Sequence, residues 1–133
     1  SPMCQYSAEE GIANEWHFIH LAGRAIGGAG IVFTEAVHTE PHGRITRHDL
    51  GLWNDEQRDA LSRIASCIQA NGSVPGIQLG HAGRKASVGR PWEGTRPVPP
   101  EEGGWCPVSP APSQDLLSHG PTRTPRRTTP SAG

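Results

Sequence analysis

The sequence predicts an α/β fold built on a parallel sheet, and three observations carry that prediction. Two segments show amphipathic helical spacing with capping residues at their starts. Short runs rich in β-branched residues follow each of them. The resulting order of strand, helix, strand, helix, strand calls for parallel neighbours joined by right-handed crossovers.

Taken in order, Ser1-Pro2-Met3 reads as the stub of a first strand. Asn14 caps a helix that runs to about Ile26 through Trp16, His17, Ile19, His20, Leu21 and Arg24. Gly27-Gly28 stops it, because glycine tolerates the backbone turn just past a helix end. Gly30 to Val37 is a short apolar run of buried-strand character. His38 to Trp53 is polar, broken by Pro41, Gly43 and Gly51, and reads as a loop. Asn54, followed three residues later by Gln57, opens a second helix with a capping-box arrangement. Leu61, Ile64, Ala65 and Ile68 share one face of it, and Asn71-Gly72 ends it. Val74 to Leu79 is the next strand, with Pro75 tolerated only near its start.

The alternation is compatible with an open doubly wound sheet and with a closed barrel. A barrel of eight strands takes about 250 residues. The 133 residues here hold fewer than half of its strands. A chain beginning at Ser1 reads as processed or as a fragment, and a fragment is the expectation.

Composition divides the chain further. The hydrophobic fraction is 34%, with 17 glycines and 13 prolines, against roughly 45–50% apolar residues in ordinary globular chains. From Gly83 onwards the chain is polar and proline-rich, and after Val108 only Leu116 and Leu117 can fill a core. Thr122 to Pro130 reads as a disordered basic tail.

The formal net charge of -1 offers no global attraction to nucleic acid or to an anionic membrane. No apolar stretch approaches the roughly 20 residues a bilayer crossing needs. Cys4, Cys67 and Cys106 are odd in number and far apart, which suits neither a disulfide framework nor a paired zinc motif. A reducing cytoplasm is the expected location.

In parallel α/β folds, sites form where strands run into loops. Those ends are Ser1 to Tyr6, Glu35-Ala36, and Gln78-Leu79-Gly80-His81. Backbone groups there, with the Gln78 amide, can hydrogen-bond a flat heteroaromatic ring. Cys4 can lie against that ring, and the Tyr6 hydroxyl can donate to a substrate oxygen. The plainer alternative for Cys4 is a small packing residue.

His17 with His20, and His38 with His42, have spacings a metal can use. Neither pair has the cysteine or carboxylate that completes a zinc set, so no metal site is expected. His81-Ala82-Gly83-Arg84-Lys85 lacks a phosphate-loop pattern and reads as part of the rim. The four tryptophans and Cys67 read as packing residues, and Arg126-Arg127 as solvated charge.

Several segments together resemble the opening of the cysteine-containing bacterial branch of the Old Yellow Enzyme family. They are Ser1 to Tyr6, Asn14-Glu15-Trp16-His17, Arg24 to Gly30, Thr34-Glu35-Ala36, Gly43-Arg44-Ile45, Leu50 to Trp53, Gly76 to Ala86 and Arg90 to Gly94. The order and spacing of these segments match to about Trp105. The resemblance implies residues 1–105 as a partial FMN-binding (β/α)8 barrel domain of about three strands, with 106–133 a divergent tail.

It further implies FMN lined by Ser1, Pro2, Met3 and Cys4, touched by Ala36 and hydrogen-bonded by Gln78. Cys4 would tune the flavin rather than act as a nucleophile, and Tyr6 would contact the substrate. The implied activity is an ene-reductase: hydride from NADPH or NADH, through FMN, to the activated C=C of an α,β-unsaturated carbonyl. The alternative is a non-catalytic relic that retains no flavin. Full-length relatives are expected to be homo-oligomers acting on small molecules. The family's histidine pair, tyrosine proton donor and phosphate loops come from later strands.

Overall fold

The computed structural model describes residues 2–109. Helix α1 spans Glu15–Ile26, strand β1 Ile31–His38, β2 Leu50–Gly51, helix α2 Asp55–Ala70 and β3 Val74–Gly80. Four single-turn 3₁₀ segments decorate the connections. The sheet order is β2-β1-β3, and both pairings are parallel.

The expected caps are present, in altered form. Asn14 Oδ1 accepts from the Trp16 amide at 3.1 Å, while the Asn14 amide donates to His17 Nδ1 at 3.2 Å. A histidine therefore closes the box usually closed by Glu or Gln. At α2, Asn54 Oδ1 accepts from the Gln57 amide at 2.9 Å. Gln57, fully buried, instead accepts from Trp53 N at 2.8 Å and donates to Glu10 O at 2.8 Å. Its side chain thereby ties the start of α2 to the loop before α1.

Two expectations need correcting. Pro2 and Met3 lie outside any strand, and Ser1 lies outside the described residues. Proline has no amide to donate to a ladder, and this segment meets β1 through side chains, by the bond from Gln5 N to Glu35 Oε1 and the contact of the Cys4 thiol with the Ala36 amide. The stretch read as one loop contains β2, whose two residues pair with Val37 and His38 of β1. A two-residue strand has no period for a sequence reading to detect.

Both helices cover one face of the sheet. Leu21 and Ala25 of α1, Val32 of β1, and Ile64 and Ile68 of α2 form the larger core cluster. Ala8, Val37 and Leu50 form the second, with Leu61 packed on it. Burying an aliphatic side chain of this size contributes about 1.5–3 kcal/mol. Along β1, Ile31 and Phe33 alternate with the buried Val32 and stay exposed, as do Ile77 and Leu79 of β3. Among the described residues the sheet therefore carries an uncovered apolar face and unpaired edges.

Gly51 marks a close approach. A Cβ there would stand 2.1 Å from the Trp53 ring. Gly51→Ala is expected to cost about 1–3 kcal/mol through overpacking, read as a lowered urea midpoint with an unchanged slope.

Candidate active site

β1 and β3 end side by side. Their register sets Ala36 against Gln78, Val37 against Leu79 and His38 against Gly80, after an irregularity between Phe33 and Ala36. Within that irregularity the Thr34 hydroxyl accepts from the Gln78 amide nitrogen at 3.2 Å. This bond fixes the backbone from which the exposed Gln78 carboxamide projects. A Cβ on Gly80 would meet only Ala36 Cβ within 4 Å, at 3.9 Å, so no side chain crowds the backbone there.

The segment Pro2 to Ser7 runs alongside. Gln5 N donates to Glu35 Oε1 at 3.0 Å, and Gln5 Nε2 donates to Met3 O at 2.8 Å. Trp16 Nε1 of α1 donates to Gln5 Oε1 at 3.3 Å. Asn14 Nδ2 donates to Ser7 O at 2.6 Å, and Ala8 N to His48 O at 2.9 Å. Tyr6 takes a left-handed backbone conformation, φ 51°, and its ring meets Trp92 edge-on at 5.9 Å.

Burial raises the half-buried Cys4 thiol to about 11, with Asp49 adding to the rise and the Ala36 backbone amide opposing it. The thiol is therefore protonated at neutral pH and weakly nucleophilic. Burial also raises the Tyr6 hydroxyl, with Cys4 as the next cause. Glu35, only 5% exposed, is pushed up to about 7 by burial, against the lowering effect of the Gln5 amide.

Beside the strand ends, between the first residues of the chain, α1 and the first half of β1, lies a cleft of about 480 Å³. It is lined by Pro2, Met3, Cys4 and Glu35, by His20 and Arg24 of α1, and by Ile31, Val32 and Phe33; Ala36 and Gln78 do not line it. Behind the site, Asp49 is fully buried. It accepts from Ile45 N at 2.7 Å, Thr46 N at 3.1 Å and Thr46 Oγ1 at 2.8 Å. His38 Nε2 lies 3.2 Å from it, while His38 Nδ1 lies 3.2 Å from Gly80 O. Arg44 stacks between Trp53 and Trp105, at 5.2 and 5.4 Å.

Of the residues singled out in the sequence, Cys4, Ala36 and Gln78 are gathered at the strand ends. Tyr6 stands one turn of chain further along, against Trp92. Pro2 and Met3 line the cleft but are exposed. Asp49 had been given no role, Glu35 had been named only as part of a strand end, and His38 only as half of a metal pair. Only Glu35 carried a signal: a lone charge inside an apolar strand run is costly unless it is held. Among the described residues no group of three His, Cys, Asp or Glu side chains can hold a metal. His17 is buried with Nδ1 committed to its helix cap, and burial lowers it to about 4. No helix of the described residues is long and apolar enough to cross a membrane.

The chain is similar to proteins of known classes. An NADH:flavin oxidoreductase of Gibberella zeae is 42% identical over 127 residues, which are 95% of this chain and 31% of that protein. An NADPH dehydrogenase of Listeria monocytogenes is 53% identical over 88 residues, 65% of this chain and 26% of its own. The Old Yellow Enzyme homologue from Zymomonas mobilis superposes with a TM-score of 0.67 at 26% identity, over 85% of this chain and 28% of that one. Morphinone reductase, solved with tetrahydroNAD, superposes at 0.65 and 24% identity over 84% of this chain and 27% of its own, a likeness of fold.

The chain thus spans less than a third of the length of the relatives it matches, and its sheet is part of an α/β barrel. Residues 1–111 match one family, and on that match the chain belongs to the NADH:flavin oxidoreductase / NADH oxidase family.

Proposed function

We propose that this chain supplies the ring-binding end of an FMN-dependent, Old Yellow Enzyme-type oxidoreductase. The observation that carries the reading is the placement of Ala36 and Gln78 as register partners at the ends of adjacent parallel strands, with Cys4 beside the Ala36 amide. The residues fit the ring half of FMN. The exposed Gln78 carboxamide provides a donor and an acceptor for a pyrimidine edge, and no side chain crowds the Gly80 backbone beside it. The chemistry a bound FMN supplies is hydride transfer, from NADPH or NADH to the electron-poor carbon of an activated alkene such as an enone.

The chain's own residues do the positioning. Gln78 orients the ring edge, Ala36 keeps the approach clear, and the Pro2-Met3-Cys4 backbone flanks it. Cys4, held as a thiol, offers a polarisable neighbour without a charge. Tyr6 keeps its proton at neutral pH, so its hydroxyl donates a hydrogen bond to the substrate carbonyl oxygen.

A spectral titration of the purified chain with FMN tests the reading. A shifted flavin band that Gln78→Ala weakens about tenfold or more, equivalent to about 1.4 kcal/mol, supports it. The second reading is a relic without flavin binding. It is favoured by Ile31, Phe33, Ile77 and Leu79, uncovered among the described residues, and by the sheet edges unpaired there, which promote association over ligand binding. An unshifted band over the whole titration supports that reading for the isolated chain.

A further inference from the structure

We propose that Glu35 is a positioning residue: its carboxylate holds the Pro2 to Tyr6 segment on the end of β1 and so keeps the Cys4 thiol against the Ala36 amide, out of solvent. The inference goes beyond flavin binding, because it concerns the segment itself and is tested without flavin.

The geometry is specific. The Gln5 amide has no strand partner, and its hydrogen bond goes to Glu35 Oε1 at 3.0 Å, across 30 residues of chain. The flanking bonds from Gln5 Nε2 to Met3 O and from Trp16 Nε1 to Gln5 Oε1 are exposed, so water competes for them. The Glu35 bond lies on a 5% exposed side chain that lines the same cleft as Cys4. It is a protected link between the segment and the sheet, beside the contact of Cys4 with the Ala36 amide. A hydrogen bond to an ionised acceptor is also roughly twice as strong as a neutral one.

Charges around the pair come from every element that packs there. Cys4 and Tyr6 belong to the segment, His20 and Arg24 to α1, His38 to β1 and Asp49 to the loop before β2. Ionised Glu35 and Asp49 both hold the thiol protonated, in addition to burial.

The test is the rate of Cys4 alkylation by iodoacetamide against pH, in the full chain carrying Cys67→Ser and Cys106→Ser. Freed from the sheet, Cys4 becomes a solvated thiol ionising near 8.5, so Glu35→Ala is expected to react about tenfold faster or more at pH 8.5. Gln5→Pro, which removes the donor and leaves Glu35 in place, is expected to match it and stands in for Glu35→Ala should that variant fail to fold.

Glu35→Gln keeps an acceptor oxygen and removes the charge. It is expected to react within about threefold of the parent, with its pH midpoint shifted down but still above that of a solvated thiol. Parent-like rates in Glu35→Ala and Gln5→Pro would overturn the proposal. So would a Glu35→Gln variant as fast as Glu35→Ala, which would show that the hydrogen bond holds nothing.

Discussion

Asp49→Ala is expected to be among the most damaging single changes in the molecule, costing about 3–5 kcal/mol. The Asp49 carboxylate has no exposed surface, and three donors converge on it, Ile45 N, Thr46 N and Thr46 Oγ1, with His38 Nε2 3.2 Å away. Alanine leaves buried donors unpaired, and each costs about 1–3 kcal/mol to strand. The damage spreads along the sheet, because His38 closes β1 onto both β2 and Gly80 of β3. A small domain has only about 5–15 kcal/mol of stability in total. The expected result is a urea midpoint lowered by a large fraction, or loss of a cooperative transition. Asp49→Asn retains one acceptor oxygen and should fall between parent and alanine. An alanine variant within 1 kcal/mol of the parent (about that margin of error) would show that the network is relieved by water.

The second large effect is on pH dependence, through Glu35. Burial raises its carboxyl from 4.5 to about 7, outweighing the Gln5 amide that favours the ionised form. The folded chain therefore binds a proton that the unfolded chain has released between those values. The sign follows directly. Glu35 favours folding most below pH 4.5, and this contribution is lost as pH rises through 4.5 to 7. The gap corresponds to about 3 kcal/mol. Glu35→Gln removes the titration, so denaturation at pH 4 should match the parent. At pH 8 the variant should be the more stable, by up to about 3 kcal/mol. Equal midpoints for parent and variant at both pH values would show that Glu35 is solvated in the folded chain.

The two effects share a lesson about what sequence reveals. Both helices were legible because their evidence is local: Asn14 and Asn54 cap within three residues, and Ile64 and Ile68 lie one turn apart on one face. β1 was legible because Ile31, Val32 and Val37 crowd a short run bounded by glycine. The register of β1 against β3 places Ala36 beside Gln78, a neighbourhood that strand ends alone had suggested. The rest was hidden because it is made of single long-range contacts.

β2 is two residues long and exists because His38 and Val37 offer it an edge. Asp49 sits in a polar loop where one more acid attracts no notice, and its partners are visible only once the loop closes. The helix-capping role of His17 was obscured by the metal reading its spacing with His20 invites. Glu35 was in plain view inside an apolar strand, yet its partner, a backbone amide 30 residues away, has no sequence signature.

The most direct test of the central claim is a chimera. Residues 1–105 would be joined to the remaining barrel of the Listeria NADPH dehydrogenase, to which this chain is 53% identical over 88 residues. The visible spectrum of the purified chimera is the readout, with and without Gln78→Ala. If the strand ends form the ring half of a flavin site, the chimera purifies yellow, and the Gln78→Ala form loses most of its flavin on dialysis while staying folded. A folded, cooperatively unfolding chimera that takes up no FMN would contradict the claim.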